Sequence, residues 1–305
     1  MDLALAILPI FLILAAGYGL MATGIVPKEN WPAIELFSFR VLVPIVLIEA
    51  LYSADLSPGS IGPLAVAMLL TLCAVSCLVL SSRFLISKER LTNPRFTTIF
   101  QTSTRWNAFV AFAAADQIGG PDSLALIAVG VAVLIPIINV VNISVLATFG
   151  PEKRGVRDVV VAVAKNPLVI GCAIGITLNL SGLSVPDPLR TALSAIGDGA
   201  LGIGLLVVGA GVKLHRLFSS TPALWASVFA RQIVSPGIFI FLAVIWGLSP
   251  LETFSGALIM SVPAASNGYI VARQMGGDAD LYADVLMWQT ALSIALIPAL
   301  AVLTL

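Results

Sequence analysis

Apolar residues in this chain form long runs separated by short polar turns, and the length of those runs is the first guide to its fold. A helix crossing the hydrocarbon core of a bilayer needs about 20 mostly apolar residues. Ten runs come close to or exceed that length: 3–22, 32–52, 61–86, 97–115, 123–149, 166–182, 189–211, 223–247, 253–275 and 282–305. The pattern predicts an all-α integral membrane protein with ten transmembrane helices, here spans 1 to 10. The connections carry turn chemistry, as in Gly24-Ile25-Val26-Pro27, Ser57-Pro58-Gly59 and Asp116-Gln117-Ile118-Gly119-Gly120-Pro121. Met1-Asp2-Leu3 lacks the basic segment of a signal peptide, so span 1 is expected to be retained. The last run reaches residue 305, so no soluble domain is expected after it.

The longest polar stretch, Gly150 to Lys165, lies at mid-chain. It divides the chain into a first five-helix repeat (1–150), a linker (151–165) and a second repeat (166–305). Landmarks recur at a nearly constant offset. Pro27 is answered by Pro186 and Pro63 by Pro222. Asn107-Ala108-Phe109-Val110 is answered by Asn267-Gly268-Tyr269-Ile270, and Gln117-Ile118-Gly119-Gly120 by Gln274-Met275-Gly276-Gly277. Five spans per half is an odd number, so the second half should be inverted relative to the first, the arrangement common in alternating-access transporters.

Charge then sets an orientation. The connections after odd-numbered spans hold Lys28, Arg83, Lys88, Arg90, Arg95, Lys153, Arg154, Arg157, Lys165, Lys213 and Arg216, against Arg190 alone on the other side. The excess predicts a cytoplasmic linker and both termini outside. Composition agrees: 59% of the 305 residues are hydrophobic and 10% charged, where soluble domains carry roughly 25% charged residues. The formal net charge is zero, so the totals say nothing about a nucleic-acid partner, and none is expected. Cys73, Cys77 and Cys172 fall inside apolar runs without metal-site spacing, and the lone His215 lies in a polar connection. No H-E-x-x-H pair and no G-x-S-x-G elbow is present, so neither catalysis nor a bound metal or cofactor is expected. Gly197-Asp198-Gly199-Ala200-Leu201-Gly202 matches a dinucleotide-binding pattern but lacks a preceding strand. Gly171 and Gly175 form a G-x-x-x-G pair that indicates close helix packing.

Polar chemistry at membrane depth concentrates in spans 4 and 9. Span 4 holds Gln101-Thr102-Ser103-Thr104-Arg105-Trp106-Asn107, and span 9 holds Ser261-Val262-Pro263-Ala264-Ala265-Ser266-Asn267-Gly268. Pro263 should interrupt its helix, and Gly268 lowers the cost of unwinding. Asn107 and Asn267 lie roughly 17 and 14 Å from the cytoplasmic ends of their helices, near the midplane. Uncapped N–H groups, half-helix N-termini, the two amides and the Arg105 guanidinium together suit a carboxylate. Two readings stay open for the Asn pair, substrate binding and interhelical packing. Arg105 could equally be a structural partner.

The chain resembles bacterial members of the auxin efflux carrier family, whose members carry small organic acids. The likeness rests on Arg105-Trp106-Asn107-Ala108-Phe109, Pro136-Ile137-Ile138-Asn139-Val140, Lys165-Asn166-Pro167 and the stretch Pro263 to Tyr269, and it covers nearly the whole length. The resemblance implies a fold like that of bile acid:sodium symporters, with spans 4 and 9 broken and crossing. It further implies a scaffold of spans 1, 2, 6 and 7, a transport domain of spans 3–5 and 8–10, and a homodimer. It puts the substrate carboxylate near Asn107 and Asn267; Arg105, Ser103, Thr104, Pro263, Ser266 and Gly268, from the same two polar stretches, are the further candidates for the site. Such families often have a proline at the span 4 break. Here Ser103 and Thr104 stand in that stretch, so a bend by hydroxyls is expected in place of a break.

For proton or sodium coupling the candidates are Asp198, then Gln289 and Asn139. Asp198 could instead pair with Arg40 or Arg231, and Gln289 and Asn139 could serve packing. Glu49 is expected near the outer interface. The functional expectation is a secondary active transporter or uniporter of small organic anions, multi-pass in the bacterial inner membrane. The alternatives are a sodium-coupled symporter of bile-acid type and a passive channel.

Overall fold

With no water in hydrocarbon to satisfy backbone N–H and C=O groups, an apolar chain must satisfy them within its own segments, and helix is the only regular structure among the described residues. The computed structural model describes residues 3–56, 58–87, 89–150, 157, 160–161, 164–266 and 268–305. The elements are α1 (Leu3–Ala22), α2 (Trp31–Phe37) and α3 (Val43–Ser53), α4 (Pro58–Leu85), α5 (Asn93–Thr104), α6 (Ala108–Phe149), α7 (Pro167–Ser181), α8 (Asp187–Ala210), α9 (Pro222–Phe229) and α10 (Ser235–Trp246), α11 (Pro250–Ser261), α12 (Gly268–Gln274) and α13 (Ala279–Thr304). Each of the ten apolar runs is occupied mainly by helix. Among the described residues, five stretches are long and apolar enough to cross a membrane: Gly62–Leu85, Asn93–Phe149, Asp187–Ala210, Pro222–Trp246 and Ala279–Thr304. Leu8–Ala22 and Pro167–Ser181 are shorter apolar helices.

Several rods differ from uniform helices. A π-helical turn, Ser38–Leu42, joins α2 to α3, and another, Ala230–Val234, joins α9 to α10. Each contains the lone arginine of its run, Arg40 or Arg231. No loop separates spans 4 and 5 where the Asp116–Pro121 stretch suggested one. The chain turns instead at Gly120, whose φ of 66° and ψ of −162° break the helical path immediately before Pro121. That left-handed φ is open to glycine and costly for other residues.

Packing is tightest where glycine removes the side chain between two rods. α1 lies along α8, and a Cβ added to Gly209 would sit 2.0 Å from the Leu14 carbonyl oxygen. α3 lies along α7, with Gly171 against Pro44 and Gly175 against Ile48, the close approach that their spacing anticipates. A second group forms around α6, α10, α11 and α13, centred on buried Phe112, Phe239 and Phe254. The connection after α8 is held to the start of α13 by Arg216, which donates to Asp284 (2.7 Å) and Asp280 (2.8 Å). Those two bonds, the Asp280 bond foremost, raise the Arg216 guanidinium above its ordinary range.

Candidate functional site at the crossing of two interrupted helices

α5 ends without a proline. The Thr102 hydroxyl donates to the Thr98 carbonyl (2.9 Å) and the Thr104 hydroxyl to the Phe100 carbonyl (2.7 Å), as expected for hydroxyls that bend a helix. The chain nevertheless breaks completely. Arg105 is extended (φ −80°, ψ 152°), and helix resumes only at Ala108. The reason is Asn107, whose side-chain oxygen accepts from the N–H groups of Phe109 (3.1 Å) and Val110 (3.3 Å) and so starts a new helix as its N-cap. The expectation of a mere bend is corrected on this ground. An Asn directly ahead of an apolar helical run was the signal available in the sequence.

α11 is started by a reciprocal cap between Ser249 and Glu252 and stops at Ser261. Val262 is extended (φ −61°, ψ 156°), and Pro263 has no N–H with which to continue. The two breaks touch. The Asn107 main-chain N–H donates to the Pro263 carbonyl (2.7 Å), and the Asn107 amide donates to the Ser266 hydroxyl (3.1 Å). One residue thus caps α6 with its side-chain oxygen and holds the second break with both of its nitrogens.

Neighbouring rods secure the crossing. Gln289 of α13 is fully buried; its amide nitrogen donates to the Thr102 carbonyl (3.1 Å) while its oxygen accepts from the Ala264 N–H (2.8 Å). Tyr282 donates to the Ala265 carbonyl (2.7 Å). A Cβ on Gly268 would sit 1.9 Å from that tyrosine hydroxyl, so any larger residue there would displace Tyr282.

A cavity of about 690 Å³ opens beside the crossing. Arg105, Trp106, Asn107, Ala265 and Ser266 line one side, Asn139 and Ile138 of α6 another, and Glu35, Phe39 and Arg40 the facing wall, with Lys165 and Asn166 also on the lining. Three of these side chains are cationic and one is acidic. The Arg105 Nε is buried and has no hydrogen-bond partner among the described residues. The cavity therefore sets a guanidinium beside a carboxamide donor, an arrangement that fits a carboxylate.

The sequence-derived candidates divide by position. Arg105, Asn107, Asn139 and Ser266 come together on the cavity. Pro263 and Gly268 shape the second break without lining it. Thr104 is buried and bonded to Asn142, and Ser103 is buried away from the cavity. Gln289 ties the two breaks together and does not line the cavity. Asp198 sits on an exposed part of α8, off the cavity, next to Gly197, which packs against Glu49. No ion pair joins Asp198 to Arg40 or Arg231 among the described residues. Asn267 lies outside the described residues.

The breaks offer fewer free amides than expected, because Asn107 already occupies two of those at the start of α6. Sequence reasoning had not placed Glu35, Arg40 and Lys165 at this site. Their signal was weak: a charged residue in or beside an apolar run reveals cost, not direction.

The family model described as membrane transport protein matches residues 150–301, which contain the second break, Arg231 and Gln289. No curated protein matches the chain.

Proposed function

The chain belongs to the membrane transport protein family, the auxin efflux carrier group that its sequence resembles, and from that premise we propose that it is a secondary transporter or uniporter of small organic anions working by alternating access. The observation that carries this reading is the cavity at the crossing, which Arg105 and Asn107 of the first break line together with Ser266 of the second. A substrate carboxylate would bridge Arg105 and the Asn107 amide, with Arg40 and Lys165 giving the whole cavity a positive balance.

Ten spans in two inverted five-helix repeats are part of the proposal. Paired left-handed glycines support it: Gly24 with Gly182 (182 − 24 = 158) and Gly120 with Gly276 (276 − 120 = 156). The interruptions at 105–107 and 262–266 support it in the same way. The pairs α1 with α8 and α3 with α7 supply a scaffold of spans 1, 2, 6 and 7, past which the crossing could rock. The same reading puts the protein in the bacterial inner membrane with both termini outside, and the resemblance adds a homodimer.

Proteoliposomes loaded with unlabelled mono- or dicarboxylate test the function. Labelled substrate should enter saturably and faster against unlabelled substrate inside. A flux that neither saturates nor shows counterflow would make the protein a channel. In the same assay Arg105→Gln should raise KM by about 10–100-fold, the equivalent of a lost charge-assisted hydrogen bond of about 1.5–3 kcal/mol. An unchanged KM would remove Arg105 from the site.

A further inference from the structure

Arg231 is 1% exposed, among the largest fully buried side chains of the protein. No carboxylate pairs with it among the described residues. Its Nε donates to the Val262 carbonyl (3.0 Å), and its Nη2 donates to the Ile259 carbonyl. These two carbonyls stand at the end of α11, where the half-helix gathers partial negative charge and its last carbonyls lack helical partners. A guanidinium with no acid beside it is costly at this depth; the broken helix end is what compensates it here.

Other polar groups of the same break are also taken. The Pro263 carbonyl accepts from the Asn107 N–H, the Ala265 carbonyl from Tyr282, and the Ala264 N–H donates to Gln289. In ion-coupled carriers, unwound carbonyls and half-helix C-terminal ends are the groups that bind sodium. We infer that Arg231 is a resident cation at the second break, holding permanently the position a coupling sodium ion would otherwise fill, so that transport proceeds without sodium. This inference rests on the transport reading and deepens it. Arg231 touches no cavity surface and acts as a positioning residue, fixing the Val262–Ser266 segment against Asn107.

The test uses the full chain in two assays. In proteoliposomes, sodium is replaced by choline at fixed proton gradient, and wild-type flux should be unchanged. In detergent, the wild-type melting temperature should likewise be equal in sodium and choline chloride. Arg231→Ala leaves space at the carbonyls. In choline its melting temperature should fall and its flux should drop by at least about tenfold, a coupling of 1.4 kcal/mol or more. Guanidinium or sodium chloride should restore part of both. Arg231→Lys, which keeps a cation, should retain most of the flux.

Sodium-dependent wild-type flux would overturn the inference and leave the transport reading standing. So would an Arg231→Ala protein that is weakened equally in all salts, since that would mark a purely structural pin. If no carboxylate is carried, the transport reading fails, and the melting comparison still decides whether a cation replaces the side chain. If Arg231→Ala does not fold, the wild-type sodium comparison decides by itself.

Discussion

Asn107→Ala should abolish saturable carboxylate transport, or raise KM by about 100-fold, the largest functional loss expected from a single side chain in this protein. The substitution removes the amide that faces the cavity and reaches Ser266, and the oxygen that caps α6. Loss of the cap costs about 1 kcal/mol, and loss of the buried amide bond about 0.5–1.5 kcal/mol, so the protein should melt earlier but remain folded. The main-chain bond from residue 107 to Pro263 does not depend on the side chain and should survive.

Asn107→Asp separates the two roles. A carboxylate can still accept from the Phe109 and Val110 N–H groups, so the cap and the melting temperature should be kept. It donates nothing and brings negative charge to the cavity, so transport of an anion should be lost as fully as in the alanine variant. Wild-type affinity in the Asp variant would show that the amide does not meet the substrate. Loss of melting temperature in step with transport in both variants would mean that Asn107 only caps.

Gly209→Ala should have the largest effect on stability. Its new Cβ would lie 2.0 Å from a main-chain oxygen, that of Leu14, and no rotamer change can relieve a clash with backbone. A Cβ added to Gly17 would lie 2.1 Å from the Leu206 carbonyl oxygen in the same seam, so α1 and α8 pack there backbone to backbone. Overpacking costs typically 1–3 kcal/mol even where side chains can move. Here about 3 kcal/mol or more is expected, seen as poor yield and a melting temperature lower by roughly 10 °C in detergent. Gly19→Ala, on the facing helix α1, has nothing within 4 Å of the added carbon and serves as the control. Equal melting temperatures for the two variants would show that the α1–α8 seam does not hold the fold.

Much of this architecture was legible in the chain because lipid imposes a simple rule. Apolar runs of spanning length must become helix, and the runs beginning near residues 3, 32, 61, 166, 189, 223 and 282 did so. Pro263 announced the second break by chemistry alone, since a residue without an N–H cannot propagate a helix. Gly171 and Gly175 announced a close approach for a similar reason. The first break was harder to read. Hydroxyls at Thr102 and Thr104 bend a helix without ending it, and the decisive group, the Asn107 oxygen, acts on N–H groups two and three residues ahead. The charged residues were the least legible. Arg40 and Arg231 occupy similar π-helical turns in similar apolar surroundings, yet one lines the cavity and the other serves backbone carbonyls.

By itself the sequence determined that this protein is helical and built for lipid, that Pro263 interrupts one of its helices, and which short segments carry donors at depth. Those properties follow from local rules: run length, backbone donors, and the cost of polar groups in hydrocarbon. Only the tertiary structure decided that the interruptions meet, that Asn107 bonds both Pro263 and Ser266, that Gln289 stitches Thr102 to Ala264, and that Arg105 lines the cavity beside Asn107. Partners 25 to 187 residues apart along the chain cannot be read from spacing, because the direction of a buried side chain is set by how whole rods pack against one another.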